Sequence, residues 1–111
     1  MRNSPEWCVS FMAITSVGAV AVPMNSWWQG DELSYGLQDC GANHIILDAA
    51  RYQRLAPHLP DSGLVVIGLE NEGKTLPPEV DCLENALTGE GEAALPEVVI
   101  DPEDPAMILY T

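Results

Sequence analysis

The chain has 111 residues, enough for one domain that buries roughly 60–70% of its unfolded surface. Its 47% hydrophobic content is that of a globular protein and excludes a disordered tail, and no apolar run approaches the ~20 residues that span a bilayer. Seventeen acids against four bases give a formal charge of −13, which argues against nucleic acid or anionic membrane as a partner, since both need a lysine or arginine footprint.

Met1-Arg2-Asn3 reads either as a true start or as an internal methionine at a strand end. No basic segment followed by an apolar block and a cleavage site is present, so no signal peptide is expected. Ser4-Pro5-Glu6 then predicts a helix start, with Ser as N-cap, Pro at the first helical position and an acid in the first turn. From Trp7 to Val17 apolar residues occupy nearly every face, which predicts a helix packed between layers. Gly18 suits the left-handed position that ends it.

Ala19 to Val22, closed by Pro23, predicts a short strand buried on both faces, as in parallel sheets covered by helices. A loop, with Asn25 supporting a turn, leads to a second helix from about Asp31 to Cys40. Asp31 and Glu32 sit in its favourable first turn, Leu33, Leu37 and Cys40 form its buried stripe, and Gly41 closes it. His44 to Asp48 predicts a strand, Ala49 to Leu55 a helix cut short by Pro57, and Leu64 to Ile67 another strand.

Glu70 to Glu79 reads as loop, Asp81 to Leu87 as a short helix, Glu90 to Pro105 as a surface connection, and Ala106 to Tyr110 as a last strand. Eleven of the acids lie between Glu70 and Asp104, where Lys74 is the one base; they predict a solvated face, or one covered by a basic surface of a downstream part. The alternation predicts βαβ units with right-handed crossovers: an α/β fold, a mostly parallel sheet with helices on both faces.

Cys8, Cys40 and Cys82 are odd in number, widely spaced and free of C-x-x-C, and His44 and His58 stand at no ligand spacing to them. Buried, reduced thiols in a cytoplasmic protein are expected, and no metal site. The adjacent Trp27 and Trp28 suggest a substrate pocket less than a cap on a core edge or a domain contact. Asp48, at a strand's carboxyl end, stands where α/β sheets bind ligands, although polar strand ends are common.

Several blocks, in order, resemble the adenylate-forming enzymes, the family of AMP-dependent synthetases and ligases that includes acyl-CoA synthetases. Asn3-Ser4-Pro5-Glu6-Trp7 is similar to the family's Asn-x-Pro-Glu-Trp helix start, and Gly18-Ala19-Val20-Ala21-Val22-Pro23-Met24-Asn25 to its Gly-Ala-x-x-x-Pro-x-Asn turn. Gly30-Asp31-Glu32-Leu33 with Asp39-Cys40-Gly41-Ala42 resembles its next helix and cap. Asp104-Pro105-Ala106 and Ile108-Leu109-Tyr110-Thr111 resemble the run into its Tyr-Thr-Ser-Gly-Thr-Thr-Gly-x-Pro-Lys-Gly motif. The likeness covers most of residues 2–48 and 104–111, while residues 68–103 match nothing specific.

The resemblance implies that residues 1–111 are an incomplete N-terminal AMP-binding domain that stops just before the phosphate loop. It implies a parent ligase that uses ATP, Mg²⁺ and CoA to activate a carboxylic acid, including fatty acids, as acyl-AMP and pass it to CoA. Thr111 is the one residue it assigns to cofactor binding, through a hydroxyl and amide at the start of that loop; no catalytic residue and no metal ligand fall within the chain. The partners implied are the rest of the N-terminal domain, the C-terminal domain and the acid substrate, and the piece alone is expected to be inactive. Apart from the resemblance, a non-catalytic α/β binding module and a truncated product with no role also fit.

Overall fold

The protein is described by a computed structural model covering residues 1–88 and 94–111. Helix α1, Pro5–Ser16, starts as expected: the Ser4 hydroxyl accepts the Trp7 amide at 3.3 Å, with proline at the first position. Gly18 closes it at φ 74°, its own amide donating to Thr15 and that of Ala19 to Ile14. The expectation that α1 lies between layers is not met. Ser10 is its one buried residue, and Pro5, Cys8, Val9, Met12 and Ala13 form an exposed stripe, because the described residues supply no layer to cover them.

Helix α2, Gly30–Asp39, buries Leu33 and Leu37 as its spacing predicts. The Gln29 amide donates to the Glu32 carboxylate at 2.8 Å, and Gly41 ends the helix at φ 65°. Strand β1, His44–Asp48, and helix α3, Ala49–Leu55, keep their predicted bounds, with a 3₁₀ turn over Ala56–His58 extending α3 through Pro57. Strand β2 is Val65–Leu69, starting one residue and ending two residues later than Leu64–Ile67 suggests. Gly68 lies within it, where an added Cβ would run into the Leu76 side chain. The expected helix over Asp81–Leu87 divides into strand β3, Asp81–Cys82, and helix α4, Leu83–Leu87.

The sheet is parallel, in order β1-β2-β3, with His44 opposite Val65 and Asp48 opposite Leu69, then Ile67 opposite Asp81. With α2 and α3 packed beside it, this is the predicted α/β class. Leu33, Leu37, Leu47 and Leu55 form the core, backed by Met24, Trp28, Ile45 and Tyr52. Each such leucine contributes about 1.5–3 kcal/mol on burial.

Two predicted strands are not formed. Ala19–Val22 and Ala106–Tyr110 meet only as a single parallel bridge between Ala21 and Met107. A strand needs a paired neighbour along its length, and here each segment has only the other. Of the expected surface connection from Glu90 to Pro105, residues 90–93 lie outside the described residues; residues 94–105 are exposed and carry no helix or strand. The thiols also differ from expectation: all three are free, but Cys8 is exposed on the open stripe, while Cys40 and Cys82 are half-buried.

Candidate functional site

Asp48 illustrates why a polar residue at a strand end is not by itself a ligand. It ends β1 and caps α3, accepting the Arg51 amide at 3.0 Å. The same carboxylate takes the Arg2 amide at 3.1 Å and the Arg51 guanidinium at 3.0 and 3.2 Å, and it is wholly buried. Burial pushes its pKa up, but the amides of Arg51 and Arg2, the amino-terminal ammonium and the Arg51 guanidinium outweigh that, and the carboxyl sits below the ordinary aspartate value. All its acceptor capacity is directed inward, so Asp48 is scaffold.

What this scaffold holds is the loop from Met24 to Gln29. Arg51 Nε donates to the Ser26 carbonyl at 3.1 Å, and Arg54 Nη1 reaches the carbonyls of Ser26 at 3.0 Å and Trp28 at 3.3 Å. Asn25 supports the turn as expected, its side-chain oxygen accepting the Trp27 amide at 3.0 Å. The two tryptophans part company here. Trp28 packs on the core, whereas Trp27 is 71% exposed.

Trp27 borders an open groove of about 480 Å³ past the carboxyl ends of β1 and β2, shared with Arg2, Ser26, Asn71 and Glu72. Open parallel sheets bind ligands at this end. Asn71 lines this groove, and among the described residues its buried side-chain oxygen has no hydrogen-bond partner.

The segment from Ala106 to Thr111 runs beside the first loop and helix α2. Ala21 donates its amide to the Ala106 carbonyl and accepts the Ile108 amide, both at 2.9 Å. Two residues on, the Tyr110 hydroxyl donates to Asp39 Oδ2 at 2.6 Å and lies 3.2 Å from the Gly36 carbonyl. Its ring meets Trp28 edge-on, with centroids 5.8 Å apart. The hydrogen bond to Asp39 pushes the Tyr110 pKa up to about 12. Thr111, the residue singled out in the sequence, is exposed just beyond this anchor.

Tyr110, Asp39, Gly36 and Trp28 are thus brought together, and Asp48 and Trp27 stand apart from them. The role of Asp48 had a readable signal, an aspartate directly before a helix, which is the preferred N-cap. The Asp39–Tyr110 contact joins residues 71 apart in the chain and has no local signature.

A family model described as AMP-binding enzyme matches residues 1–111. The 3-hydroxybenzoate--CoA/4-hydroxybenzoate--CoA ligase of Thauera aromatica is 30% identical over 115 residues, covering 100% of this chain and 21% of that protein. Nonribosomal peptide synthetase inpB of Emericella nidulans is 25% identical over 111 residues, covering 100% of this chain and 4% of that protein. Long-chain-fatty-acid--CoA ligase FadD13 of Mycobacterium tuberculosis is 41% identical over 49 residues, covering 44% of this chain and 10% of that protein. The chain therefore spans about a fifth or less of the length of these relatives.

Proposed function

The chain belongs to the family of AMP-binding enzymes, and from that premise we propose that it is the N-terminal part of an AMP-forming acyl-CoA ligase, ending where the phosphate loop begins. In the proposed reaction a carboxylate oxygen attacks the ATP α-phosphorus and pyrophosphate leaves. The CoA thiolate then attacks the acyl carbon and AMP leaves. The observation that carries the reading is the match along all 111 residues, to a family in which CoA ligases are among the relatives. The rest of the ligase, its carboxylic acid and CoA are the partners proposed.

ATP with Mg²⁺ supplies the adenylyl group, and charge accumulating on the phosphates has to be met by fixed donors. Within the chain, Thr111 offers a hydroxyl and an amide at the end of an anchored segment. Arg51 and Arg54 are directed onto Asp48 and the carbonyls of Ser26 and Trp28. In this reading the main donors for the phosphates lie in the rest of the ligase, and the 111 residues alone are expected to be inactive.

The test is exchange of labelled pyrophosphate into ATP, with aromatic and long-chain carboxylic acids offered in turn. The polypeptide that continues past Thr111 is expected to exchange and to form acyl-CoA; the 111-residue chain is expected to do neither. Exchange by the short chain, or none by the longer one with any acid, would overturn the proposal.

A further inference from the structure

The hold on the terminal segment is discontinuous. The pairing with Ala21 ends at Ile108, and Ile108 and Leu109 are 40% and 63% exposed, so apolar burial fixes them weakly. Beyond them the one side chain that reaches back into the fold is Tyr110, through its hydroxyl to Asp39 and its ring to Trp28. Both supports are themselves fixed. The Trp28 carbonyl is held by Arg54, and its ring lies against α2 at Gly36, where an added Cβ would stand 3.0 Å from it.

Asp39 is the last residue of α2, where the helix dipole disfavours an acid, and no basic residue sits in that turn. A residue that breaks a local preference points to a compensating contact. The Tyr110 hydroxyl has one proton, and the 2.6 Å distance assigns it to Asp39. Cys40 and Tyr35 are the other titratable groups that act on it.

We propose that the Asp39–Tyr110 clasp is a positioning device: α2 sets the direction in which the chain leaves at Thr111, and hence the placement of the phosphate-contacting residues that follow. This rests on the ligase reading above. Tyr110 touches no reacting atom; it acts through the backbone of Thr111.

Three variants test it: Tyr110→Phe, Asp39→Leu and Asp39→Asn. In the 111-residue chain, backbone heteronuclear NOEs should show residues 109–111 ordered in the wild type and in Asp39→Asn, whose amide oxygen still accepts. They should show those residues disordered in Tyr110→Phe and Asp39→Leu, with Met107 still ordered. Ultraviolet titration of the tyrosines should place one near 12 in the wild type and return it toward about 10 in Asp39→Leu, which removes both the hydrogen bond and the charge.

In the longer ligase, Tyr110→Phe and Asp39→Leu should raise the KM for ATP in pyrophosphate exchange by on the order of tenfold. Asp39→Asn should stay near wild type, and the KM for the carboxylic acid should not move. Unchanged order at 109–111 in both disruptive variants overturns the clasp, whatever the kinetics. Lost order with an unchanged KM for ATP overturns the positioning role. A wild-type ligase without exchange overturns the ligase reading and that role with it, while the NOEs still decide the clasp.

Discussion

Arg51 and Asp48 are 8% and 0% exposed, so neither charge can turn to water if the other is removed. Asp48→Ala would leave a buried guanidinium and an uncapped α3, costing about 3–5 kcal/mol for the broken pair and about 1 kcal/mol for the cap. That approaches the whole stability of an ordinary domain, about 5–15 kcal/mol, and urea titration should show a lowered midpoint or no folded baseline. Replacing both residues with apolar ones of similar volume should cost far less, because no lone charge is left behind. The sign of the pH dependence follows from the depressed folded pKa of Asp48. Between the folded and ordinary aspartate values the unfolded chain binds more protons, so stability rises with pH there. The contribution is complete above the ordinary value, near pH 4, and is lost as pH falls through the folded one. Urea midpoints from pH 6 downward should therefore hold nearly level to about pH 4 and then fall, more steeply than in the doubly apolar variant.

At the level of elements, α2 is seated by its glycines, and the two should respond differently to alanine. Substituting alanine inside a helix gains about 1 kcal/mol of propensity. At Gly36 the new Cβ would meet the Trp28 ring and Met24 at 3.0–3.3 Å, and Met24 is a flexible side chain that can give way. At Gly30 it would come within 2.5 Å of the Arg54 carbonyl oxygen, a backbone atom of α3 that cannot. Gly30→Ala should therefore destabilise by about 1–3 kcal/mol despite its propensity, and Gly36→Ala by less, as thermal melts would show. Helices were legible in the sequence because their caps and stripes are local: Ser4, Gly18, Leu33 and Gly41 act where their neighbours alone predict. Strands were legible where a partner exists, as for β1 and β2, and misread at Ala19–Val22 and Ala106–Tyr110, where pairing is a property of distant chain. The terminal clasp has no local signature for the same reason, although its anchor, Tyr110, belongs to the same motif as Thr111.

The molecule as a whole exposes 7677 Å², where a compact monomer of 12.0 kDa exposes about 6,000 Å². Much of the apolar excess is visible by name: Val9 and Met12 on α1 are 49% and 66% exposed, and Val99 is fully exposed. Such a surface favours association. The chain on its own should show a sedimentation coefficient that rises with concentration, and Met12→Glu should shift it toward the monomer value without disturbing the buried leucines. A concentration-independent monomer would show that the open stripe is tolerated in water.

Because Arg51 and Arg54 are folded onto the chain's own carbonyls and carboxylate, and Arg2 pairs with Glu72, little positive charge is left to face another molecule. Two copies of a chain carrying −13 must repel, at a range set by the solution. The screening length is about 30 Å at 0.01 M salt, beyond the 14.3 Å radius of gyration, and about 8 Å at 0.15 M. Added salt should therefore strengthen association, the reverse of what a complex held by ion pairs would do.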